Sequence, residues 1–203
     1  NTASEYAWTA DPIWSPDSTT LIALVPPEDP FFSGGESSLW RVAADGLSGE
    51  QLFTAQMRYV ISGASGVSPD LTQILYYQPT GPAADNTYNL VLATTDGSAG
   101  AVVATGQVQG EPAWSPDSAR FLYNVGSLPA AAPFIGQVGG ASIPIADFNN
   151  AMEFKWLDAN RYLAVTNDNH RMRLLLGTVG SPTGLLYDSV TPADGFISFS
   201  VNR

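Results

Sequence analysis

The tetrapeptide Trp14-Ser15-Pro16-Asp17 recurs as Trp114-Ser115-Pro116-Asp117, with Val67-Ser68-Pro69-Asp70 between them and a shortened form, Trp156-Leu157-Asp158, after them. A second marker trails each copy: Ala44-Asp45-Gly46, Thr95-Asp96-Gly97, Gly139-Gly140 and Gly180. Two turn signals in a fixed order, four times over, define an internal repeat. The lead positions 14, 67, 114 and 156 stand 53, 47 and 42 residues apart.

Those steps match the roughly 40–50 residues of a four-stranded propeller blade, and each divides in the same way. In the third repeat Glu111 to Trp114 is predicted as a short inner strand and Ser115-Pro116-Asp117-Ser118 as a turn. Pro presets φ for the first central position, and Asp and Ser bond back to the local backbone. Strands follow at 120–123, 133–138 and 142–146. The first repeat places its strands at 20–25, 39–42 and 51–54, the second at 73–77, 88–93 and 101–104, the fourth at 162–166, 172–177 and 185–188. These segments are rich in β-branched and aromatic residues and are bounded by Gly, Pro, Asp and Ser. None carries a sustained helical apolar period, and at most one helical turn is expected, near Phe148 to Met152. The fold class is all-β: a β-propeller of four-stranded antiparallel blades, with repeats at about 11–56, 57–106, 110–146 and 153–189 and a partial fifth at 194–203.

Trp-Ser-Pro-Asp, an apolar strand, Asp-Gly and a final short strand together resemble the TolB-like (WD40-like) group of β-propeller repeats. The group includes periplasmic proteins and propeller domains attached to some serine peptidases. The resemblance covers nearly the whole chain. Ser18 and Ser118 stand where the group usually has Gly, the second copy lacks Trp and the fourth lacks Ser-Pro. The resemblance implies a non-catalytic interaction scaffold, or a propeller gating substrate for a serine peptidase whose catalytic domain lies outside this chain.

At 203 residues and 44% hydrophobic content, the chain is long enough to bury a substantial core. Its apolar runs fall short of the roughly 20 residues of a membrane-spanning helix, so no transmembrane segment is expected. Without an initial Met or a signal-like segment, it reads as a mature or excised piece. A net charge of −11 argues against nucleic acid, whose phosphates need a basic surface, and favours basic partners or solubility. No cysteine and a single lysine, Lys155, among many Ser, Thr, Gly and Asn suit a secreted or periplasmic bacterial protein. Three closures stay open: a single domain that is part of a larger propeller, a four-bladed ring with an extra strand at each end (Ser4 to Thr9 at the start), and an open half completed by a second copy.

Candidate chemistry is sparse. A nucleophilic triad needs an imidazole or a substitute base. The sole histidine, His170, sits in Asn167-Asp168-Asn169-His170, a stretch expected to be a hairpin turn. That stretch lacks the alternating ligands, central Gly and distal Glu of a calcium loop. No catalytic residue, metal or cofactor is expected. Asp17, Asp70 and Asp117 read as turn formers, as do the Asp-Gly pairs at Asp45 and Asp96.

One arrangement points to binding. Three residues before each lead position stand Asp11, Ala64, Glu111 and Glu153. Propeller geometry would gather the three carboxylates near one mouth of a central channel, where they would raise one another's pKa or attract a cation unless solvated. Lys155, on the same strand face as Glu153, would neutralise part of that charge. Strand alternation sends the long loop Pro26 to Glu36, with its adjacent Phe31 and Phe32, to the same mouth, where a protein partner could contact it. The alternative for either Phe is a plug between blades, and for the carboxylates a solvated acidic rim. Trp8, Trp14, Trp40, Trp114 and Trp156 would also suit a sugar or small-ligand site, but Trp14, Trp114 and Trp156 are repeat-core positions expected to be buried.

Overall fold

The computed structural model describes residues 12–27, 35–57, 66–81, 87–107, 110–127, 130–168 and 171–190. They divide into two compact units, residues 1–106 and 107–203. All regular structure in both is antiparallel strand.

The first unit holds two blades. Blade 1 orders β1 (Pro12–Trp14), β2 (Thr20–Val25), β3 (Ser37–Ala43) and β4 (Gly49–Ala55) as consecutive neighbours. Blade 2 orders β5 (Gln73–Pro79), β6 (Thr87–Thr94) and β7 (Gly100–Gln107), and its inner position is marked by a single bridge from Val67 to Ile74. The second unit holds blade 3, with β8 (Ala113–Trp114), β9 (Arg120–Val125), β10 (Ala132–Gln137) and β11 (Ile143–Pro144), and blade 4, with β12 (Ala151–Trp156), β13 (Arg161–Asp168), β14 (Arg171–Thr178) and β15 (Ser181–Val190). One sheet forms per copy of the turn motif, with β7 running to Gln107, β12 starting at Ala151 and β15 ending at Val190. The expected helical turn does not form: residues 148–150 carry no regular structure, and Ala151 already begins β12. Asn150 enters the left-handed region (φ 57) and its backbone N–H and side-chain Oδ1 pair with Ala131, while Asn124 Nδ2 donates to the Ala151 carbonyl at 2.8 Å. These bonds pull the linker flat across blade 3 instead of letting it coil.

Alternation gives every blade two apolar faces. In the first unit Ile13, Ile22, Leu24 and Leu39 of blade 1 pack on Val67, Ile74, Val91 and Ala93 of blade 2. In the second, Ala113, Leu122 and Ile135 of blade 3 pack on Phe154, Trp156, Tyr162, Ala164 and Leu175 of blade 4, with Ile145 and Phe148 from the linker between them. One rule covers both joints: the face carrying the lead residue (Val67 or Trp156) meets the preceding blade, and the opposite face meets the following one. Trp156 seals its joint by donating its indole N–H to the Ala113 carbonyl of blade 3 at 2.8 Å. Trp114 and Trp156 are buried as expected, but Trp14 is 49% exposed. No preceding blade covers it among the described residues.

Within blades 3 and 4 an aromatic on the second strand lies over a glycine on the third. Phe121 pairs with Gly136, and Tyr162 with Gly177. A Cβ on Gly136 would come within 2.1 Å of the Phe121 ring, and one on Gly177 within 2.0 Å of the Tyr162 ring. The same rings meet the lead tryptophans edge-on or tilted, Trp114–Phe121 at 5.2 Å and Trp156–Tyr162 at 5.7 Å between centroids. Blades 1 and 2 fill the corresponding places with aliphatic pairs, Leu21–Val42 and Ile74–Ala93.

Trp114→Ala and Trp156→Ala should each cost about 3–5 kcal/mol, as large aromatic truncations in cores do, and a loss below about 1 kcal/mol in a urea titration would remove either from the core. Gly177→Ala should cost about 1–3 kcal/mol through overpacking. Combining it with Tyr162→Leu should recover part of that loss, and strict additivity in the double-mutant cycle would show that the ring does not rest on the glycine.

Candidate functional site

In three copies of the repeat a serine hydroxyl lies within hydrogen-bond distance of an aspartate carboxylate. In the first copy the Ser15 hydroxyl donates to Asp17 at 2.6 Å and accepts the Thr20 N–H at 3.0 Å. The Thr19 N–H donates to the same carboxylate oxygen at 3.1 Å, and Ser18 takes φ 58. The second copy repeats this with Ser68, Asp70, Thr72 and Gln73, and the third with Ser115, Asp117, Ala119 and Arg120. Leu71 (φ 62) and Ser118 (φ 59) occupy the left-handed position, which explains why glycine suits it in related repeats. Thr94-Thr95-Asp96-Gly97-Ser98-Ala99 has the same pattern, with Thr94 Oγ1 to Asp96 at 2.6 Å and Gly97 at φ 69. In blade 2 the two sequence markers are therefore one turn design used twice, whereas in blade 1 the second keeps only the Asp45 carboxylate, which accepts the Leu47 N–H at 2.9 Å. The fourth copy is one residue shorter, and Asp158 substitutes by accepting the N–H groups of Asn160 and Arg161 and the Arg161 guanidinium at 2.7 Å.

These bonds stabilise the ionised carboxylates. The Ser15 hydroxyl and then Thr19 hold Asp17 below the usual carboxylate range, and the Ser115 hydroxyl does the same for Asp117. Thr94, then Ser98, bring Asp96 down to about 2. Each serine oxygen already accepts a backbone N–H, so the pairs lock turns and leave no activated nucleophile.

The carboxylates expected at the blade ends fall as follows. Glu153 lies on β12 opposite Val165, and Lys155, two residues on and on the same face, approaches it at 3.7 Å. Glu111 is half-buried ahead of β8, the inner strand that runs beside β12 in the same unit, where Gly110 backs onto the Met152 carbonyl. Asp11, Phe31, Phe32, Trp8, His170 and the partial fifth repeat lie outside the described residues. β13 runs on through Asn167 and Asp168, which pair with Met172 and Arg171 of β14, so these two residues of the expected hairpin turn are strand instead. Among the described residues no three His, Asp or Glu gather closely enough to hold a metal ion, and no helix is long and apolar enough to cross a membrane.

The sequence reading missed a groove of about 420 Å³ in the second unit, floored by Phe148, Leu175, Pro182 and Leu185 and rimmed by Asp147, Arg173, Thr183 and Asp188. Its origin is a mismatch in strand length. β11 has 2 residues and β15 has 10, so the face of blade 4 that meets blade 3 runs past its cover. Asp147 accepts the Thr183 N–H at 2.8 Å, and Asp188 takes both arms of Arg171 at 2.7 and 2.5 Å with Arg173 at 4.0 Å. These bonds hold the rim, and Asp188 stays below the usual carboxylate range through Arg171 first. Burial, then the Asp147 charge, push the neighbouring Tyr162 phenol up to about 12.

No family model matches the chain, and no curated protein matches it significantly. Solved structures do. TolB from Acinetobacter baumannii aligns with TM-score 0.56 at 12% identity over 87% of this chain and 42% of its own. The β-propeller domain of the Trilobed protease from Pyrococcus furiosus aligns with TM-score 0.60 at 10% identity, over 92% and 58%. The fold is a TolB-like β-propeller. An oligogalacturonate lyase in complex with manganese also aligns, with TM-score 0.59 and 12% identity over 98% and 57%. The chain spans about half the length of each of these three structures.

The low value for Asp96 has a testable consequence. Its folded pKa of about 2 lies below the ordinary 3.8, so its contribution is fully present above the ordinary value and is lost as pH falls through about 2. Asp96→Asn should flatten the dependence of stability on pH between about 4 and 2. An unchanged slope in acid titrations followed by circular dichroism would show that the Thr94–Asp96–Ser98 lock does not form.

Proposed function

We propose that this chain is a non-catalytic interaction scaffold of an extracytoplasmic bacterial protein, and that it receives a basic or amphipathic polypeptide at the end of the blades where the inner strands begin. The observation that carries this reading is the use of the Ser-Asp pairs: the hydroxyls and carboxylates that would perform chemistry are engaged in turn formation at the opposite end of each blade. What remains at the receiving end of the second unit is Glu111, the Glu153–Lys155 pair and the Arg173–Asp188 part of the groove rim. Strand alternation supports putting these on one side, because the starts of β12 and β14 and the end of β15 share that end of blade 4. An acidic, partly apolar surface mainly speeds association with a cationic partner and makes it salt-sensitive. Asp11 and the Phe31-Phe32 loop belong to the same proposal from the repeat register. The composition, with no cysteine and one lysine, and the resemblance to a repeat group with periplasmic members support the extracytoplasmic placement.

The likeness to the propeller domain of a protease supports a second reading, in which the blades gate or position substrate for a peptidase domain. A Gly-x-Ser-x-Gly segment with a distant His in the same gene would favour it.

Two measurements test the first reading. The purified chain should not turn over a panel of peptide and ester substrates. Turnover abolished by His170→Ala would overturn the non-catalytic assignment. A basic amphipathic peptide should bind with an affinity that falls as salt rises, and Glu111→Gln with Glu153→Gln should weaken binding and flatten the salt dependence. Equal affinity in the double variant would move the contact to another face.

A further inference from the structure

We infer that the outer edge of β15 and the groove beside it receive an extended segment of a partner protein, which adds to blade 4 as a fifth antiparallel strand and carries alternate large apolar side chains and a basic residue. This rests on the reading of the chain as a polypeptide-binding scaffold and gives it a second surface, along the side of blade 4. β15 comes last in its sheet, so one of its edges has no strand against it among the described residues. Such an edge presents a row of backbone N–H and C=O groups, and natural sheets blunt it with short strands, charges or proline. β11 has only 2 residues, and β4 carries Glu50. β15 has 10 residues, and its stretch Thr183-Gly184-Leu185-Leu186-Tyr187 holds neither charge nor proline. Leu185, Leu186 and Tyr187 are 56%, 54% and 55% exposed, whereas on the outer strand β7 Val102 alone is large, apolar and exposed.

A bulge shapes this edge for side chains as well. Leu175 pairs with Leu185 and Leu174 with Tyr187, so Leu186 is the extra residue, and Leu185 and Asp188 share one face although three positions separate them. That face lines the groove of about 420 Å³, with Phe148 and Leu175 beneath. From Thr183 to Asp188 the groove follows roughly 15 Å of strand at about 3.3 Å per residue, enough for the alternate side chains of a segment of about five residues. Blade 3 leaves the space open because β11 stops at Pro144. An edge that offers main-chain bonds, beside a pocket for every second side chain, is the physical basis of recognition by strand addition.

Charge complementarity gives the segment its basic residue. At one end of the groove Asp188 is neutralised by both arms of Arg171, with Arg173 at 4.0 Å. At the other, Asp147 accepts the Thr183 N–H through Oδ2 at 2.8 Å and has no cation within ion-pair distance among the described residues. A lysine or arginine that follows the apolar positions of an antiparallel segment comes to lie beside that carboxylate.

The probe is the capped peptide Leu-Thr-Val-Thr-Leu-Thr-Lys, titrated against the purified chain with amide hydrogen exchange read by NMR. Binding should slow exchange of amides between Gly184 and Tyr187. N-methylation of every second peptide amide should abolish binding in one of the two possible sets and spare it in the other, as a strand bonded along one edge requires. Leu185→Thr should weaken binding about fivefold or more through lost apolar contact, with circular dichroism confirming the fold. Asp147→Asn should weaken it about two- to fivefold and leave unchanged a peptide with Gln in place of Lys. Protection of β15 should persist in the Glu111→Gln, Glu153→Gln double variant. Protection confined to residues 111 and 151–153 would uphold the binding end proposed above and overturn the edge. Indifference to Leu185→Thr, or to both N-methylated sets, would also overturn it. A wild-type dimer in sedimentation equilibrium that Leu185→Thr dissociates would assign the edge to a second copy and overturn the partner segment.

Discussion

A sheet that is apolar on both faces is stable only between two other layers, and every blade of this chain is such a sheet. The joints therefore matter more than the blades. At the best-defined one, Trp156 fills the space between inner strands, donates to Ala113 and rests against Tyr162, whose ring occupies the volume that Gly177 leaves open. Remove any member and the others lose packing partners at close range, where interiors have little slack. Stability in such an array is a sum over neighbours.

The turn design organises the blades along the other direction. In each one the two turns sit at the same end and are tied by a backbone bond: Ala44 to Thr19, Thr95 to Thr72, Val138 to Ala119, and Val179 to Asn160, between 2.9 and 3.1 Å. Thr95 reinforces its tie by donating to the Leu71 carbonyl, and Arg120 carries the connection to the next blade through the Ala159 carbonyl at 2.8 Å. One end is thus stitched shut four times with nearly the same chemistry. The stretches that join β2 to β3, β5 to β6 and β9 to β10 differ in length and composition along the sequence: long at Pro26–Glu36, polar at 80–86 and short at 126–131. The binding proposal rests on these unlike stretches, because loops on a rigid scaffold are where recognition is usually carried.

How much of this is legible without coordinates follows from which interactions are local. Ser-Pro-Asp and Asp-Gly turns are closed by residues within five positions of one another, so their composition reveals them, and strand order follows from the turns. Trp14 was misjudged because its register is the same as that of Trp114 and Trp156 and its difference lies in a neighbour. The groove escaped notice for a related reason: it depends on β11 stopping after two residues while β15 runs for ten, a comparison between strands that no periodicity encodes. The aromatic-over-glycine pairs do leave a trace. Phe121 with Gly136 and Tyr162 with Gly177 stand equally spaced in repeats 3 and 4, and that spacing would have found them.

The degenerate copies show what the turn design can do without. Leu71 sits at φ 62 with a branched side chain where glycine would be relaxed, at a cost of about 1–2 kcal/mol. Against it stand the Ser68 hydroxyl bonded to Asp70 and Gln73, the Thr72 N–H and hydroxyl on the same carboxylate, and the partial burial of Leu71 against the first-unit core. Several bonds, each worth about 1 kcal/mol net, outweigh one strained residue. Asp158 makes the converse point, since without serine or proline it still closes the turn from a single carboxylate with Arg161 as counter-ion. The carboxylate recurs in all four leading turns, and the residues around it are the ones free to vary. Its constancy is therefore a signature of backbone geometry, and a row of aspartates spaced along such a chain carries no evidence of catalysis.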